Sequence, residues 1–262
     1  MKIATFNVNS IKARLPRVIG WLEAEQPDVA CLQEIKCIDE NFPRIEIEAL
    51  GYNIETHGQK AYNGVAILSK FPIQDIKRGL DGIDFPDDDD KPCQARYMEA
   101  AINGFRIASI YLPNGNPVPS EKYDYKLRWM DRLNKRAMEL LETEQKIVLS
   151  GDFNIIPKDE DCYEPENYAS DAACLPESRA KYRTILNMGY FDAFRHLTPK
   201  GNNYTFWDYQ RGAWPKDHGL RIDMHLLSPK AFDCLMDCKV DRVPRAKEKA
   251  SDHTPLWVEL KT

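Results

Sequence analysis

An aspartate and a histidine stand side by side near the end of the sequence, within the segment Ser-Asp-His-Thr-Pro at residues 251–255. The imidazole of His253 titrates near neutral pH, and the carboxylate of Asp252 can bind a metal ion or orient an imidazole. The apolar run at residues 256–260 predicts a strand directly after this pair. The two side chains therefore suggest a hydrolytic site at the start of a strand, provided that other polar groups reach the same place.

Polar side chains also follow four other predicted strands. These are Asn7 after residues 2–6, Glu34 after residues 28–33, Tyr111 and Asn114 at and after the end of residues 105–111, and Asp152 and Asn154 after residues 146–150. Strand ends lie on the rim of a sheet, where loops from several strands can converge on a ligand. Taken singly, Asn7 could cap a turn and Glu34 could be the first solvated residue after a buried strand. The recurrence of the pattern favours a site on the rim.

Asp223 and His225 interrupt another apolar run, at residues 221–227. A carboxylate in a buried strand is costly unless it is paired, and His253 is the natural partner for Asp223. Strand alternation places His225 on the same face as Asp223, where it either supports the site or forms hydrogen bonds within the core. We favour the core position for His225.

The polar residues at these strand ends are mainly oxygen donors. Asn154 stands two residues after Asp152, so both side chains are expected on one side of the chain, where the amide can hydrogen-bond the carboxylate. Glu34, with help from Asn7 and Asp252, suits a hard ion such as Mg²⁺ or Mn²⁺ better than zinc. A hard ion, a His–Asp pair and an Asp–Asn pair together predict metal-assisted hydrolysis of a phosphate ester.

Two common hydrolase motifs do not occur in the sequence. The chain contains no Gly-x-x-x-x-Gly-Lys-Ser/Thr loop, which argues against a nucleoside triphosphatase. It also contains no Gly-x-Ser-x-Gly motif, which argues against a serine hydrolase.

The composition is that of a globular protein with a substantial core. The 262 residues are 43% apolar and show no internal repeat or linker, so we expect one domain over residues 1–262. No apolar run is long enough to span a membrane, and residues 1–6 resemble a strand rather than a signal peptide. Seven cysteines without a Cys-x-x-Cys pair predict free thiols in a reducing compartment, and hence a cytoplasmic protein.

The net charge of −5 does not by itself favour a polyanionic partner. Six aspartates fall in one stretch punctuated by glycine and proline, which predicts a solvated loop: Asp81, Asp84, Asp87, Asp88, Asp89 and Asp90. Three basic groups remain, at Lys12, Arg14 and Arg17, at Lys122, Lys126, Arg128, Arg132, Lys135 and Arg136, and at Arg242, Arg245, Lys247 and Lys249. These groups either form a phosphate-binding face or are ordinary solvated surface.

The periodicity of apolar residues predicts strands at residues 2–6, 28–33, 52–56, 63–69, 97–102, 105–111, 146–150, 221–227 and 255–260. Helical periodicity is clearest at residues 14–25, 120–143 and 177–188, with Ser120 as the N-cap of the longest helix. Short turns join some strands and helices join others, which favours a layered α/β or α+β fold with mixed sheets.

Six motifs, taken as a set, resemble those of a known family. They are Phe-Asn-Val-Asn at residues 6–9, Leu-Gln-Glu-Ile-Lys at 32–36, Tyr-Leu-Pro-Asn at 111–114, Gly-Asp-Phe-Asn at 151–154, Leu-Arg-Ile-Asp at 220–223 and Ser-Asp-His at 251–253. Their types and order resemble the exonuclease III-type apurinic/apyrimidinic endonucleases over nearly the whole chain. The segment Tyr-Thr-Phe-Trp at 204–207 is similar to one that helps to line the abasic-sugar pocket of that family. The resemblance implies a DNase I-like four-layer sandwich, in which helices flank two packed mixed β-sheets.

The resemblance also implies an activity, the Mg²⁺-dependent hydrolysis of the phosphodiester 5′ to an abasic site in duplex DNA. Members of the family also remove 3′-blocking groups and degrade a strand in the 3′→5′ direction. The implied partner is double-stranded DNA with abasic sites or blocked 3′ ends, bound by a monomer. One alternative is a phosphodiesterase or phosphatase of the same superfamily that acts on lipid or inositol phosphates. Another is a DNA-binding scaffold without catalysis, which is disfavoured because every expected catalytic position holds a competent residue.

The resemblance assigns roles to individual residues, motif by motif. It implies catalytic roles for Tyr111, Asp152, Asn154, Asp223 and His253. It implies a metal site formed by Glu34 as the principal ligand with Asn7, Asp152, Asn154, Asp252 and His253. It implies contacts with DNA or with the abasic sugar for Asn114, Phe206, Trp207, Leu220, Arg221 and Ile222. Whether Asp152 or His253 is the general base stays open.

The chain departs from some relatives at three places. Asn9 stands where some relatives have aspartate, so any ligand there lacks a charge. Residues 115–117, Gly-Asn-Pro, stand where certain relatives carry an arginine that inserts into DNA, and Leu220 stands where some have tryptophan. The resemblance therefore does not fix the balance between endonuclease and exonuclease activity.

Overall fold

Two six-stranded β-sheets form the centre of the structure, a computed structural model that describes residues 1–83 and 94–262. Asp81 is exposed, as the predicted acidic loop requires, whereas Asp84 and residues 87–90 lie outside the described residues. The strands of the first sheet are β1 (Lys2–Asn7), β2 (Val29–Gln33), β3 (Asn53–His57), β4 (Val65–Ser69), β11 (Leu235–Val240) and β12 (Leu256–Leu260). Their spatial order is β11-β12-β1-β2-β4-β3.

The second sheet has the order β5-β6-β7-β8-β10-β9. Its strands are β5 (Gln74–Arg78), β6 (Tyr97–Ile102), β7 (Phe105–Tyr111), β8 (Lys146–Asp152), β9 (Phe191–Asp192) and β10 (Asp223–Leu227). Strands β1 and β2 are parallel, and so are β7 and β8, while the other neighbours are antiparallel. Both sheets are therefore mixed, as predicted.

Helices connect the strands of each parallel pair and cover the outer faces of the sheets. The α-helices are α1 (Ile11–Glu25), α2 (Arg44–Glu48), α3 (Glu121–Glu142), α4 (Pro176–Asn187), α5 (Ala193–Leu197), α6 (Ala213–Lys216) and α7 (Pro229–Phe232). Short 3₁₀ helices lie at Asp39–Asn41, Asp159–Asp161, Pro165–Tyr168 and Pro244–Ala246. Ser120 caps α3 as predicted, because its side chain accepts a hydrogen bond from the backbone N–H of Tyr123 at 3.3 Å.

Three apolar clusters hold the layers together. Helix α1 packs Val18, Trp21 and Leu22 on the outer face of the first sheet. Helix α3 packs an apolar stripe on the outer face of the second sheet, formed by Trp129, Met130, Leu133, Ala137 and Leu140. The third cluster fills the space between the sheets, with members that include Ile3, Val29, Ile107, Val148 and Val258. The result is the predicted four-layer sandwich of two mixed sheets flanked by helices.

The sequence predicted the central strands better than the edge strands. Strands β6 and β7 have the predicted bounds, and the other predicted strands agree to within a few residues. Strands β5, β9 and β11 were not predicted, and each lies at an edge of its sheet. An edge strand pairs on one side only and tolerates polar residues, so its sequence lacks the apolar run that marks a central strand. Strand β5, for example, reads Gln-Asp-Ile-Lys-Arg.

Strands β7, β8 and β10 carry three successive rungs of side chains into the space between the sheets. The first, the apolar rung, consists of Ile107, Val148 and Leu227. The second, the neutral rung, consists of Ser109, Ser150 and His225. The third, the site rung, consists of Tyr111, Asp152 and Asp223 at the edge of the sheet. Because successive inward positions are two residues apart, polarity increases along the strands toward one edge of the sandwich.

The sequence also predicts that no segment spans a membrane and that the cysteines are free thiols. Within residues 1–83 and 94–262, no helix is both long and apolar enough to cross a membrane. The described cysteines are free thiols, as predicted: Cys31, Cys37, Cys162, Cys174, Cys234 and Cys238. Cys238 packs in the core between the sheets, with Cys234 against the same cluster, so this pair has a packing role.

Candidate active site

The strand ends that the sequence singled out meet at one edge of the sandwich. Ligand atoms of Glu34, Asp152 and His253 lie within 4.8 Å of one another. Glu34 directly follows β2 and His253 precedes β12 in the first sheet, while Asp152 ends β8 in the second. Both sheets therefore contribute to one group of side chains, as the recurrence of polar strand ends predicted.

Asp152 lies at the centre of this group and is almost completely buried. Its Oδ2 accepts a hydrogen bond from Asn7 Nδ2 at 2.9 Å, and its Oδ1 accepts one from the backbone N–H of Asn154 at 2.9 Å. Asn154 Nδ2 also donates to Oδ2 at 3.3 Å, so the predicted Asp–Asn pair is present. Burial raises the pKa of Asp152 more than the nearby imidazole of His253 lowers it. This carboxylate therefore takes up a proton more readily than an ordinary aspartate.

His253 is held between two carboxylates. Its Nδ1 lies 2.8 Å from Asp223 Oδ2, and its Nε2 lies 3.7 Å from Asp152 Oδ2. Burial favours the neutral imidazole, but the charges of Asp223 and Asp152 outweigh it and raise the pKa of His253. The predicted pairing of His253 with Asp223 is thus present, and it holds the ring in its cationic form. The second oxygen of Asp223, Oδ1, is buried without a hydrogen-bond partner among the described residues.

Glu34 is kept ionised by a basic neighbour. Its Oε1 accepts a hydrogen bond from Asn7 Nδ2 at 2.9 Å, and its Oε2 forms an ion pair with Lys36 Nζ at 2.8 Å. Burial alone would raise the pKa of Glu34, but the hydrogen bonds from Lys36 and Asn7 lower it overall. Lys36 also donates to Asn9 Oδ1 at 2.6 Å, and Asn9 Nδ2 donates to Asp252 Oδ1 at 3.0 Å. Asp252, predicted to face the metal, is therefore linked to Glu34 through these two side chains.

Asn7 has a bridging position in this arrangement. Its Nδ2 donates to both Glu34 and Asp152, while its Oδ1 accepts a hydrogen bond from the backbone N–H of Asn9 at 3.0 Å. The amide oxygen, which a metal would need, thus faces the backbone rather than the carboxylates. In this structure Asn7 orients the two acidic side chains by hydrogen bonds from its amide nitrogen.

The backbone of the site loops adopts an uncommon conformation. Positive φ angles occur at several non-glycine residues of these loops: Asn9 (44°), Ser10 (88°), Glu34 (51°), Lys36 (53°) and Asn154 (46°). Such residues cost energy and persist only where surrounding contacts fix them. One such contact is the hydrogen bond from the backbone N–H of Ser10 to the carbonyl of Glu34, at 2.7 Å. The folded protein therefore holds these loops against their local preference, which is typical of a functional site.

Tyr111 completes the site rung. Its ring stacks against the guanidinium of Arg96, whose central carbon lies 4.8 Å from the ring centroid. Burial raises the pKa of Tyr111 well above its usual value, and the negative charges of Glu34 and Asp152 raise it further. The phenol therefore remains protonated and can donate a hydrogen bond to an anionic group.

An apolar pocket wall lies beside His253. The ring of Phe206 is 5.0 Å from the imidazole of His253, centroid to centroid, in an edge-to-face arrangement. Phe206 packs with Leu220 and Ile222 in one apolar cluster, so these three predicted pocket residues are brought together. Asn114, the fourth, is exposed and donates to Asn154 Oδ1 at 3.3 Å.

Two residues assigned to the pocket lie elsewhere. Trp207 is fully buried in a separate cluster with Tyr204 and Ala213, and its Nε1 donates to Asp217 Oδ1 at 3.0 Å. Arg221 is 1% exposed and forms buried ion pairs with Asp161 at 2.7 Å and Asp192 at 2.8 Å. Because alternate residues of an extended segment point to opposite sides, Arg221 faces away from Leu220 and Ile222. Neither side chain reaches the surface from its position, which contradicts the DNA contacts implied for Trp207 and Arg221.

Lys126 holds two loops of the site together from the interior of the protein, a role that the sequence did not predict. It was grouped with surface cations, but it is fully buried. Its Nζ donates to the carbonyl oxygens of Asn114 at 3.0 Å and Asn154 at 2.7 Å, and so joins the two loops that follow β7 and β8. Burial lowers the pKa of Lys126 to about 7. Its position three residues after Tyr123 and three before Trp129, both buried, places it on the inner face of α3, and this spacing is the sequence signal for its burial.

Other members of the basic groups also form ion pairs within the protein. Arg136 forms an ion pair with the buried carboxylate of Glu99 at 2.6 Å. Arg242 pairs with Asp217 at 2.7 Å and lies over the ring of Trp207 at 4.8 Å. Lys12, Arg17 and Lys122 are exposed or partly exposed at the surface. The basic groups are thus mixed, since Arg136 and Arg242 stabilise the fold while Lys12 and Lys122 are exposed to solvent.

The donor set of the cluster fits a hard divalent cation. Glu34 and Asp152 supply carboxylate oxygens from two different sheets, and no cysteine belongs to the group. His253 is the third member, and its Nδ1 is already engaged by Asp223 Oδ2 at 2.8 Å. We therefore assign Glu34 as the principal residue that would hold an ion, with Asp152 beside it, and the ion would supply positive charge to a phosphate ester. His253 and Tyr111 supply hydrogen-bond donors at the same place.

Comparison with known proteins places the chain in a family. Residues 4–253 match the model of the Endonuclease/Exonuclease/phosphatase family. The exodeoxyribonuclease III of Haemophilus influenzae is 34% identical over 100% of both chains. The structure of an AP endonuclease from Archaeoglobus fulgidus superposes with a TM-score of 0.93 at 36% identity, and the 3′-5′ exonuclease NExo from Neisseria meningitidis with 0.94 at 38%, each covering both chains completely. A second structure of NExo, described as a 3′ phosphatase, contains a bound product DNA hairpin.

The chain belongs to the endonuclease/exonuclease/phosphatase family, in the branch of exonuclease III and the AP endonucleases. It is accordingly a phosphodiester hydrolase of a metal-dependent family, and the DNase I-like fold expected from the motifs is confirmed.

Proposed function

We propose that this protein is a Mg²⁺-dependent DNA-repair nuclease that hydrolyses the phosphodiester 5′ to an abasic site in duplex DNA. The proposal includes 3′→5′ exonuclease activity and the removal of blocking groups from 3′ ends. The observation that carries it is the position of the Asp152–His253–Glu34 group beside the apolar wall of Phe206, Leu220 and Ile222. An apolar pocket of this kind suits a sugar without a base next to a phosphate. The similarity to an AP endonuclease and to a 3′ phosphatase supports both halves of the proposal.

The geometry suggests which group donates a hydrogen bond to the phosphate and which accepts the proton of the attacking water. His253, kept cationic by Asp223 at 2.8 Å, cannot accept a proton and instead donates from Nε2 to a phosphate oxygen. Asp152 can accept the proton of an attacking water, because its pKa is raised by burial and its oxygens are oriented by Asn7 and Asn154. We therefore propose Asp152, rather than His253, as the general base.

The test is an incision assay on a duplex with one abasic analogue, run in Mg²⁺, in Mn²⁺ and in EDTA. We expect cleavage 5′ to the analogue in Mg²⁺, leaving a 3′-hydroxyl, and no cleavage in EDTA. A duplex with a 3′-phosphate tests the end-cleaning activity, and an inositol phosphate tests the alternative substrate class. No incision in Mg²⁺, or equal incision in EDTA, contradicts the proposal. Faster release of phosphate from the inositol substrate favours the alternative.

A further inference from the structure

A groove of about 400 Å³ opens on the surface beside the apolar pocket wall. Four aromatic rings line it, from Tyr163, Tyr168, Phe206 and His218. Tyr163 and His218 are stacked, with ring centroids 4.3 Å apart and an angle of 13° between their planes. Tyr168 meets the edge of Tyr163 at 6.0 Å. The roles derived above for the catalytic group use only one of these four rings, that of Phe206.

The groove is continuous with the pocket next to the catalytic group. Phe206 lines the groove and also contacts His253, at 5.0 Å. Tyr163 and Tyr168 pack against the apolar cluster that contains Leu220 and Ile222. A sugar held against this wall would therefore carry any base attached to it toward the groove. A continuous series of side-chain contacts therefore runs from His253, through Phe206, to the stacked pair.

The lining suits a nucleobase better than a phosphate. Two exposed cations at the rim, Arg211 and Lys216, are balanced by two exposed carboxylates, Glu164 and Asp208, so the groove has no excess positive charge. Flat aromatic faces bind any of the four bases by stacking, since every base has a π-face. The amides of Asn167 and Gln210 lie in the same lining and can hydrogen-bond the edge of a base.

We propose that this groove receives the nucleobase of the nucleotide on the 3′ side of the scissile phosphate. This inference rests on the proposed nuclease function and deepens it, because the pocket wall takes the sugar and the groove takes the base. An abasic residue uses the wall alone. A normal or mispaired 3′-terminal nucleotide also needs the groove, after its base has left the helical stack. The groove therefore determines how well the enzyme removes nucleotides that still carry a base.

The test compares two duplexes that differ only in whether the 3′-terminal residue carries a base or is an abasic analogue. The variant His218→Ala removes one half of the stacked pair, and His218→Phe retains a ring in its place. Stacking on one aromatic side chain contributes about 1–3 kcal/mol per base, so His218→Ala should lower kcat/KM for the base-carrying end by about 5- to 150-fold. Removal of the abasic analogue should change less than about twofold, and His218→Phe should restore most of the loss.

A second stacked pair offers a matched control. Phe191 and Phe232 stack at 4.2 Å and 18°, near the end of β10 opposite to the site. Phe191→Ala should leave the ratio of the two rates unchanged. Equal losses on both duplexes, or no loss on the base-carrying one, would overturn the groove proposal while leaving the nuclease itself intact. If the wild-type protein cleaves neither duplex nor an internal abasic site, the proposed function fails instead.

Discussion

The neutral rung and the site rung are adjacent on the same three strands, and each is associated with a buried histidine. His225 lies in the neutral rung, where its Nδ1 is 2.7 Å from Ser150 Oγ and its Nε2 is 3.0 Å from the carbonyl of Leu256. His253 lies against the site rung, between Asp223 and Asp152. Burial lowers the pKa of His225 to about 4, whereas the two carboxylates raise the pKa of His253. Equal burial thus gives opposite protonation states.

The comparison shows that burial alone does not identify a catalytic histidine. Each polar atom of the neutral rung is paired within the protein; Ser109 Oγ, for example, accepts from Gln33 Nε2 at 3.0 Å and donates to the carbonyl of Leu32 at 3.2 Å. The site rung instead concentrates charge, with a carboxylate oxygen of Asp223 that has no partner among the described residues. A satisfied network stabilises a fold, while an excess of charge at an edge is arranged for a ligand. Substitutions in the two rungs should therefore affect different properties.

The largest effect is expected from Asp152→Asn. This change preserves shape but removes the charge and the proton-accepting oxygen, so the rate of abasic-site incision should fall about a thousandfold, within the range for loss of a general base. The matched change in the neutral rung is Ser150→Ala, which should lower the free energy of unfolding by about 1 kcal/mol and alter the rate less than about twofold. Single-turnover kinetics and urea unfolding measure the two quantities. Comparable rate losses in both variants would remove the distinction between the rungs.

A somewhat smaller loss is expected from His253→Ala. The cationic ring stabilises charge that develops on the phosphate, so kcat should fall about 100- to 1000-fold while DNA binding in EDTA changes little. The conservative change Asp223→Asn removes the charge that holds the ring protonated, and it should reproduce part of the loss. A variant that raises only KM would show that His253 binds substrate and does not act in the transition state.

Sequence reasoning located the site rung well because its residues follow apolar runs that mark central strands. Asp223 was recognised because a carboxylate in an apolar strand needs a partner, and that partner, His253, is at hydrogen-bond distance. Alternation placed His225 on the face of Asp223 and left two roles open, and the favoured core position is confirmed by its full burial and its two hydrogen bonds. Local pattern could not show that Arg221 pairs inward with Asp161, because that contact joins distant segments. For Lys126, helical spacing from Tyr123 and Trp129 indicated a buried position, but its acceptors are backbone carbonyls that carry no sequence signal.

The smallest effect is expected in the pH dependence of stability, which depends on the protonation state of His225. The carbonyl of Leu256 requires a hydrogen on Nε2 of His225, so Nδ1 accepts from Ser150 and the ring is neutral in the folded state. Its pKa is lowered to about 4, whereas an unfolded histidine titrates near 6.5. Between these values the unfolded state binds one more proton, so stability is lost as the pH falls from about 6.5 to 4.

His225→Gln tests this linkage, because glutamine offers a donor and an acceptor but does not titrate. Between pH 7.5 and pH 5, in EDTA, the wild-type protein should lose roughly 2 kcal/mol more unfolding free energy than the variant, since one pKa unit corresponds to about 1.4 kcal/mol. Titrations of all other groups cancel in the difference between the two proteins. Equal losses would mean that His225 is already protonated in the folded state. In that case the neutral rung would carry a charge, and the contrast with His253 would rest on position alone.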